Sequence, residues 1–228
     1  MPSASKAVTS LLPRAPCEGS HSLSSPRIAV LDYGIGNLRS AEKALQRVGA
    51  DARLVANPRE AEASDGMVLP GVGSFGPCAR ALRDSGLEGV ARDALSSGAP
   101  FLGICVGLQL LYNGSDEDPG ESGLGVIEAH VRALPEGVKH PQMQWNILRS
   151  DADSPSRMLS GLGDSPWLYF VHSYAPEPTT ESVAYCDYGG SVVAAVERGK
   201  LWGVQFHPEK SGDTGLALLA GFVRLCAT

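Results

Sequence analysis

The first half of the chain alternates short, wholly apolar runs with segments whose apolar residues recur at helical spacing. Runs without polar alternation, typical of strands buried on both faces of a parallel sheet, lie at 28–31, 66–70 and 101–104. Residues 52–55 predict one more strand. Leu38, Ala41, Leu45 and Val48 instead predict an intervening helix. Strand, helix and strand within about 30 residues form a βαβ unit, whose repetition predicts a doubly wound sheet.

Local signals place the ends of several of these elements. Asn37 is a candidate helix N-cap, and Gly49 ends the predicted helix. Asn57-Pro58 is interpreted as a break after the second strand. Further helices are expected near 77–83 and 87–97.

The second half changes pattern. Strands separated by turns are predicted at 126–133, 168–174, 183–188, 192–196 and 201–206, and a closing helix at 216–226. We therefore predict an α/β fold with a doubly wound, mainly parallel, flavodoxin-like central sheet to which antiparallel strands are added.

Composition narrows the class of protein. The 228 residues suit one large domain, and the formal charge of −6, without basic clusters, argues against nucleic-acid binding. No apolar stretch is long enough to span a bilayer. The five cysteines are irregularly spaced, which disfavours a zinc site or disulfide framework and suits a reducing cytoplasm. Nothing indicates a metal or organic cofactor.

Residues 1–26 differ from the rest, being rich in Ser, Pro and Ala. We expect a disordered extension, or a segment arising from an upstream start codon, with a targeting peptide as the alternative. The folded domain is therefore expected over residues 27–228.

A candidate nucleophile lies where the fourth strand meets the next helix. Gly103-Ile104-Cys105-Val106-Gly107 is the cysteine form of the nucleophile elbow, in which flanking glycines relieve a sharp turn. The helix is expected to start at Val106 and continue past Leu110, with its N-terminus favouring a thiolate. The Val106 N–H would bind an oxyanion. A buried structural cysteine is the alternative.

A candidate base follows the last predicted strand. His207 is followed by Pro208 and Glu209, and proline keeps the preceding residue extended. Residues two apart in an extended segment point to one side, so Glu209 can orient the His207 ring. An ordinary histidine at a strand end is the alternative.

A glycine-rich loop, 70–76, follows the third strand. It lacks the lysine of a phosphate-binding loop. Gly34-Ile35-Gly36 begins like a dinucleotide fingerprint, but Arg39 occupies the third glycine position. We interpret Val72 and Gly73 as the second half of the oxyanion hole, with a plain turn as the alternative.

Three motifs together resemble the class I glutamine amidotransferases. They are Pro70-Gly71-Val72-Gly73, the segment from Gly103 to Gln109, and Gln205-Phe206-His207-Pro208-Glu209-Lys210-Ser211. Other segments resemble the glutaminase subunits of imidazole glycerol phosphate synthase, and the resemblance extends from about Arg27 to the C-terminus. These segments are Asp32-Tyr33-Gly34-Ile35-Gly36-Asn37-Leu38, Pro141-Gln142-Met143-Gln144-Trp145-Asn146 and Tyr169-Phe170-Val171-His172-Ser173-Tyr174.

The resemblance implies a reaction and a partner. Cys105, His207 and Glu209 would hydrolyse glutamine to glutamate and ammonia in histidine biosynthesis, and the ammonia would pass to a (β/α)8-barrel cyclase subunit in a heterodimer. Substrate contacts would come from Gly71, Gly73, Gln109, Glu117, Ser173 and Tyr174. Contacts with the cyclase would come from Asn37, Trp145, Tyr169 and Lys210. Core packing for Trp145 and a solvated charge for Lys210 are the alternatives.

The chain departs from the family pattern at two positions. The family commonly has P-H-M-G-W-N, where this chain has Gln142 and Gln144. Both positions lie near the implied interface. Two other functions stay open: an amidotransferase subunit of another pathway, such as vitamin B6 or anthranilate synthesis, and a regulatory subunit that binds a partner without catalysis.

Overall fold

The computed structural model describes residues 25–150 and 155–228. Of the extension expected over residues 1–26, residues 1–24 lie outside this described part.

The first half of the chain forms the predicted βαβ repeats. Its elements are β1 (Arg27–Leu31), α1 (Leu38–Arg47), β2 (Asp51–Val55), α2 (Pro58–Ala61), β3 (Gly66–Gly71), α3 (Phe75–Asp84), α4 (Leu87–Ser97), β4 (Phe101–Cys105) and α5 (Val106–Gln109). Helices α1, α3 and α4 confirm the periodicity, and Gly49, at φ 99°, follows the end of α1.

The second half is mostly strands and closes with the predicted helix. Its elements are β5 (Tyr112–Ser115), β6 (Ile127–Ala133), β7 (Gln142–Ile147), β8 (Arg149–Ser150), β9 (Trp167–His172), β10 (Tyr174–Pro176), β11 (Ser182–Asp187), β12 (Ser191–Arg198), β13 (Leu201–Val204), a 3₁₀ turn (Pro208–Lys210) and α6 (Gly212–Cys226).

An eight-stranded sheet forms the centre, in the order β2-β1-β3-β4-β13-β12-β11-β8. The first five strands in this order are parallel, and the last three are joined by antiparallel pairing. Strands β3 and β4 are buried throughout, as expected for a sheet covered on both faces. The predicted class, a mainly parallel doubly wound sheet with added antiparallel strands, is confirmed.

Two smaller sheets lie beside the central one. Strands β10, β6 and β5 form one, and β7 pairs antiparallel with β9 to form the other. In the β7–β9 pair, Leu168 and Phe170 are buried, whereas Met143, Trp145 and Trp167 are exposed. Because neighbouring residues of a strand point to opposite faces, one face of this pair packs on the protein and the other is a solvent-facing apolar surface.

The structure refines two local predictions and corrects a third. Asn57 does not only break the chain: its side chain accepts the Glu60 N–H and so caps α2. Asn37 precedes α1 as predicted but makes no capping bond through its side chain. The single strand expected over 168–174 is two strands, β9 and β10, which pair with different neighbours.

Within the described residues, no helix is both long and apolar enough to cross a membrane.

Candidate active site

Cys105 occupies a strained elbow at the end of β4. Its φ of 56° and ψ of −112° are unusual for a residue with a side chain. A Cβ on Gly103 would lie 2.8 Å from the Gly107 carbonyl oxygen, and one on Gly107 would overlap the Leu69 carbonyl oxygen. The predicted need for both glycines is confirmed, although the clash at Gly107 is with β3.

The helix after the elbow is shorter than predicted. It ends at Gln109, and strand β5 begins at Tyr112, because Leu110 and Leu111 continue into the buried core. A single turn carries little macrodipole, so the support expected for a thiolate from a long helix is reduced. As the first residue of this turn, Val106 has an N–H that needs no acceptor within the helix and can serve an oxyanion.

His207 and Glu209 form the predicted pair. Nδ1 of His207 lies 2.8 Å from Oε1 of Glu209, and the two side chains are 2% and 3% exposed. Burial lowers the pKa of His207, but hydrogen bonds to Cys105 and Glu209 and the charges of both outweigh this effect and raise it to about 9. Since Nδ1 is held by Glu209, Nε2 is the nitrogen left for Cys105.

The His207–Glu209 pair forms through a turn and not through the extended segment that the sequence predicts. Only His207 is extended, and Pro208–Lys210 form a 3₁₀ turn. The carboxylate therefore reaches the ring by the chain turning back rather than by strand alternation.

A cavity of about 300 Å³ opens above Cys105 and His207, at the lower end of the range for small-ligand pockets. The predicted residues that line it are Val72, Gly73, Val106, Gln109, Glu117, Ser173, Tyr174 and Lys210. Gly71 is not among them. A Cβ at Gly71 would lie 2.8 Å from the Gly107 nitrogen, so Gly71 permits close packing of β3 beneath the elbow.

Glu117 takes a defined place in the cavity wall. Its Oε2 accepts the N–H of Phe75, 2.8 Å away, at the start of α3. The contact fixes the loop after β5 against the end of the glycine-rich loop. Glu117 and Lys210 thus both line the cavity, which suits a ligand with charged groups of both signs.

Two buried side chains hold the glycine-rich loop, and sequence reasoning missed both. The Tyr33 hydroxyl donates to the Pro70 carbonyl at 2.6 Å, and the Cys78 thiol donates to the Val72 carbonyl at 3.2 Å. Burial raises the pKa of Cys78 and, much further, that of Tyr33, so both stay protonated donors. The bond from Cys78 fixes the Val72–Gly73 peptide plane, whose N–H belongs to Gly73 of the expected oxyanion hole, and the bond from Tyr33 fixes the Pro70–Gly71 plane just before it.

His172 and Gln205 belong to the motifs that carry the family resemblance, but the sequence predicts no role for either. Nδ1 of His172 lies 2.9 Å from the Tyr174 carbonyl, and burial lowers the pKa of His172 to about 4, so the ring is neutral near pH 7. Gln205 is fully buried, and its Nε2 lies 3.6 Å from the Cys105 sulfur. A polar residue inside the apolar run 202–206 was the sequence signal for Gln205.

Of the four residues expected to face a partner, two are in direct contact. Trp145 and Tyr169 meet edge to face, with ring centroids 6.0 Å apart. Asn37 immediately precedes α1, and α1 packs against the turn that carries Lys210. Trp145 is 46% exposed, so the alternative of core packing is wrong for this side chain.

The comparisons with known proteins agree with this geometry. The family Glutamine amidotransferase class-I matches residues 29–225. The chain is 47% identical to the imidazole glycerol phosphate synthase subunit HisH of Deinococcus radiodurans, over 88% of this chain and 94% of that protein. It is 46% identical to the subunit of the same name from Methanothermobacter thermautotrophicus, over 87% and 98% respectively.

Solved structures share the fold. A crystal structure of a glutamine amidotransferase has a TM-score of 0.70 at 25% identity, covering 88% of this chain and 99% of that one. PurLQS from Thermotoga maritima has a TM-score of 0.69 at 20% identity, over 88% and 99%, which supports the fold alone. The chain belongs to the class I glutamine amidotransferase family and, within it, to the family of HisH subunits of imidazole glycerol phosphate synthase.

Proposed function

We propose that this chain is the glutaminase subunit of imidazole glycerol phosphate synthase and hydrolyses glutamine to glutamate and ammonia in cytoplasmic histidine biosynthesis. The observation that carries the proposal is a cysteine on a strained elbow that shares one cavity with a buried His207–Glu209 pair. The catalytic domain would comprise residues 27–228.

The chemistry follows from the positions of these groups. The Cys105 thiolate attacks the side-chain amide carbon of glutamine. The resulting oxyanion accepts hydrogen bonds from the N–H groups of Val106 and of Val72 or Gly73. His207, protonated through its raised pKa of about 9, gives its proton to the departing nitrogen, and ammonia leaves. Neutral His207 then takes a proton from water, which attacks the thioester and releases glutamate.

The rest of the cavity supports binding of an amino acid. Glu117 provides a carboxylate for the α-ammonium group, and Gln109, Ser173 and Tyr174 provide polar groups around it. These are proposed substrate contacts. Gly71 is proposed to act through packing, because it lies beneath the cavity wall.

We further propose that the exposed face of β7 and β9 docks the cyclase subunit. Met143, Trp145 and Trp167 are 60%, 46% and 52% exposed, and clustered aromatic and Met side chains are enriched at protein interfaces. The same strand β9 carries Val171 and His172 of the cavity wall. Ammonia released there would be close to a partner seated on that face.

Ammonia release from glutamine, with and without a histidine-pathway cyclase and its nucleotide ligand, tests both proposals. We expect weak turnover alone, strong stimulation by the cyclase, and none for Cys105→Ala, which should still bind the cyclase. Trp145→Ala should raise the cyclase concentration needed for stimulation.

Each alternative has its own outcome in this assay. Activity that the cyclase does not stimulate would assign the chain to another pathway. Cyclase binding without any activity would indicate a regulatory subunit, and turnover by Cys105→Ala would exclude Cys105 as the nucleophile.

A further inference from the structure

We propose that Gln205 is a positioning residue, whose side-chain amide holds the Cys105 sulfur and is itself oriented through Gln109 by the Tyr174 carbonyl. The inference deepens the proposed function and rests on Cys105 being the nucleophile.

Three hydrogen bonds form a continuous buried chain. Nε2 of Gln205 lies 3.6 Å from the Cys105 sulfur, and Oε1 of Gln205 lies 3.1 Å from Nε2 of Gln109. Nε2 of Gln109 also donates to the Tyr174 carbonyl at 2.9 Å. Gln205 is fully buried and Gln109 is 3% exposed, so water competes little for these bonds.

The Tyr174 carbonyl fixes which way round the two side-chain amides are oriented. A carbonyl only accepts, so the NH₂ group of Gln109 must face Tyr174. That NH₂ group must then donate to the oxygen of Gln205, which leaves the NH₂ group of Gln205 facing Cys105. Turning either amide over would place two donors or two acceptors against each other.

A donor at this position has a specific consequence for a buried cysteine. Cys105 is 3% exposed, and a thiolate there loses most of its hydration. An N–H directed at the sulfur favours the charged form over the neutral thiol. Gln205 also stands two residues before His207, so one short segment delivers both the donor and the base.

The hydrogen-bonded series Cys105–Gln205–Gln109–Tyr174, called the relay below, also reaches the substrate cavity. Gln109 lines the cavity, and its two contacts toward Gln205 and Tyr174 come from its NH₂ group, which leaves its oxygen for a ligand. Glutamine bound to that oxygen would hold the amide of Gln109 in place. Through Gln109 it would also hold the Gln205 amide that donates to the Cys105 sulfur.

The chain contains a matched control for the relay. Gln142 is also fully buried, with its Nε2 3.8 Å from the sulfur of Cys186. Cys186 is buried on β11. It is not on the elbow and is not the cysteine that pairs with His207. Among the hydrogen bonds of the described residues, the Gln142 side chain bonds Cys186 and none of Cys105, Gln205 and Gln109, so its loss removes a buried amide beside a different thiol.

The experiment compares alkylation of Cys105 by iodoacetamide, site-resolved by mass spectrometry, in wild type, Gln205→Met, Gln205→Glu and Gln142→Met. Methionine keeps the volume and removes the donor, and glutamate keeps the shape but directs an acceptor at the sulfur. At pH 7 we expect Gln205→Met to react about tenfold more slowly, Gln205→Glu more slowly still, and Gln142→Met within about twofold of wild type.

The deficit should be smaller at pH 10 than at pH 7 when the donor acts on the sulfur, and equal at both when a variant only changes access to it. The inference would be overturned if both Gln205 variants reacted at the wild-type rate at pH 7. It would also be overturned if their deficit were equally large at pH 10, because that would show a loss of access to the sulfur. If Gln205→Met fails to fold, the Gln205→Glu comparison decides. Wild-type Cys105 reacting no faster than Cys78, Cys186 and Cys226 would instead count against the proposed function.

Discussion

Cys105 shows how neighbouring residues make a costly backbone conformation possible. A non-glycine residue at φ 56° costs of order 1–3 kcal/mol. Gly107 allows the elbow to sit directly against the Leu69 carbonyl. The strain is retained because strands on both sides of β4 hold the turn in place.

This packing predicts the effect of one methyl group. Gly107→Ala should lower the free energy of unfolding by about 2–4 kcal/mol and turnover by about a hundredfold, because the backbone must shift at the nucleophile. Urea denaturation and ammonia release with the cyclase measure the two effects.

Gly89→Ala is the matched control for that substitution. Gly89 lies within α4 with nothing within 4 Å of an added Cβ, so alanine should stabilise the helix by up to about 1 kcal/mol. Equal stability of the two variants would refute the packing argument.

At the residue scale, sequence predicted the groups that motifs carry and missed those that act across long separations. Cys105 ends an apolar strand between two glycines, and His207 and Glu209 follow another apolar strand on either side of Pro208. Gln205 and Cys105 are 100 residues apart, and only the pairing of β13 with β4 brings them together. A single sequence contains no signal for that pairing.

At the scale of elements, strand β9 is bonded directly to the catalytic turn. The Tyr169 carbonyl accepts the His207 N–H at 2.9 Å, and the Tyr169 N–H donates to the Ser211 hydroxyl at 3.0 Å. That hydroxyl donates to the His207 carbonyl at 2.6 Å. Because the Tyr169 side chain belongs to the proposed docking face, its backbone links that face to the base.

Ser211→Ala should weaken this link. The buried Tyr169 N–H would lose its acceptor, which costs about 1–3 kcal/mol of stability. Stimulation of ammonia release by the cyclase should fall several-fold, measured as the ratio of rates with and without it.

Ser97→Ala serves as the control for the serine substitution. Its hydroxyl bonds only the Ala94 carbonyl on the exposed surface of α4, so its stability should stay within about 0.5 kcal/mol of wild type. An unchanged stimulation ratio in Ser211→Ala would show that the link carries no coupling.

Prediction of whole elements succeeded for long periodic helices and for wholly apolar strands, and failed for the single-turn helix α5 and for strand β7. Helices of ten or more residues, such as α1 and α4, have enough turns to show their buried face. The helix after Cys105 was overestimated because Leu108, Leu110 and Leu111 fit a helical pattern but pack into the core as the chain turns into β5. Strand β7 was missed because its sequence, QMQWNI, has an apolar face exposed to solvent.

At the scale of the whole molecule, the site lies where the sheet order places it. The glycine-rich loop follows β3, the elbow follows β4 and the base follows β13, and these three strands are neighbours in the sheet. Ligands of open α/β sheets bind at the carboxyl ends of such strands. The fold class followed from the apolar runs, but the two small sheets depend on long-range pairings that composition and periodicity do not encode.

Two buried histidines predict how the stability of the whole molecule depends on pH. The pKa of His172 is lowered to about 4. Between about pH 6.5 and 4 the unfolded chain therefore binds a proton that the native one does not, and stability decreases as the pH is lowered. The pKa of His207 is raised to about 9, so its stabilising effect is present below pH 6.5 and is lost as pH rises to about 9. Stability should therefore be greatest near pH 6.5.

Urea unfolding at a series of pH values tests each side of this maximum separately. From pH 6.5 to 5 the wild type should lose up to about 2 kcal/mol, because this whole window of about 1.5 pH units lies between the pKa of His172 in the unfolded chain and its lowered pKa of about 4 in the native one. His172→Asn keeps a donor for the Tyr174 carbonyl without a titrating ring, and should flatten only the acid side. His207→Gln should flatten only the alkaline side. An acid side as steep in His172→Asn as in wild type would mean that other groups cause the loss, since the carboxylates whose pKa is lowered titrate below that window.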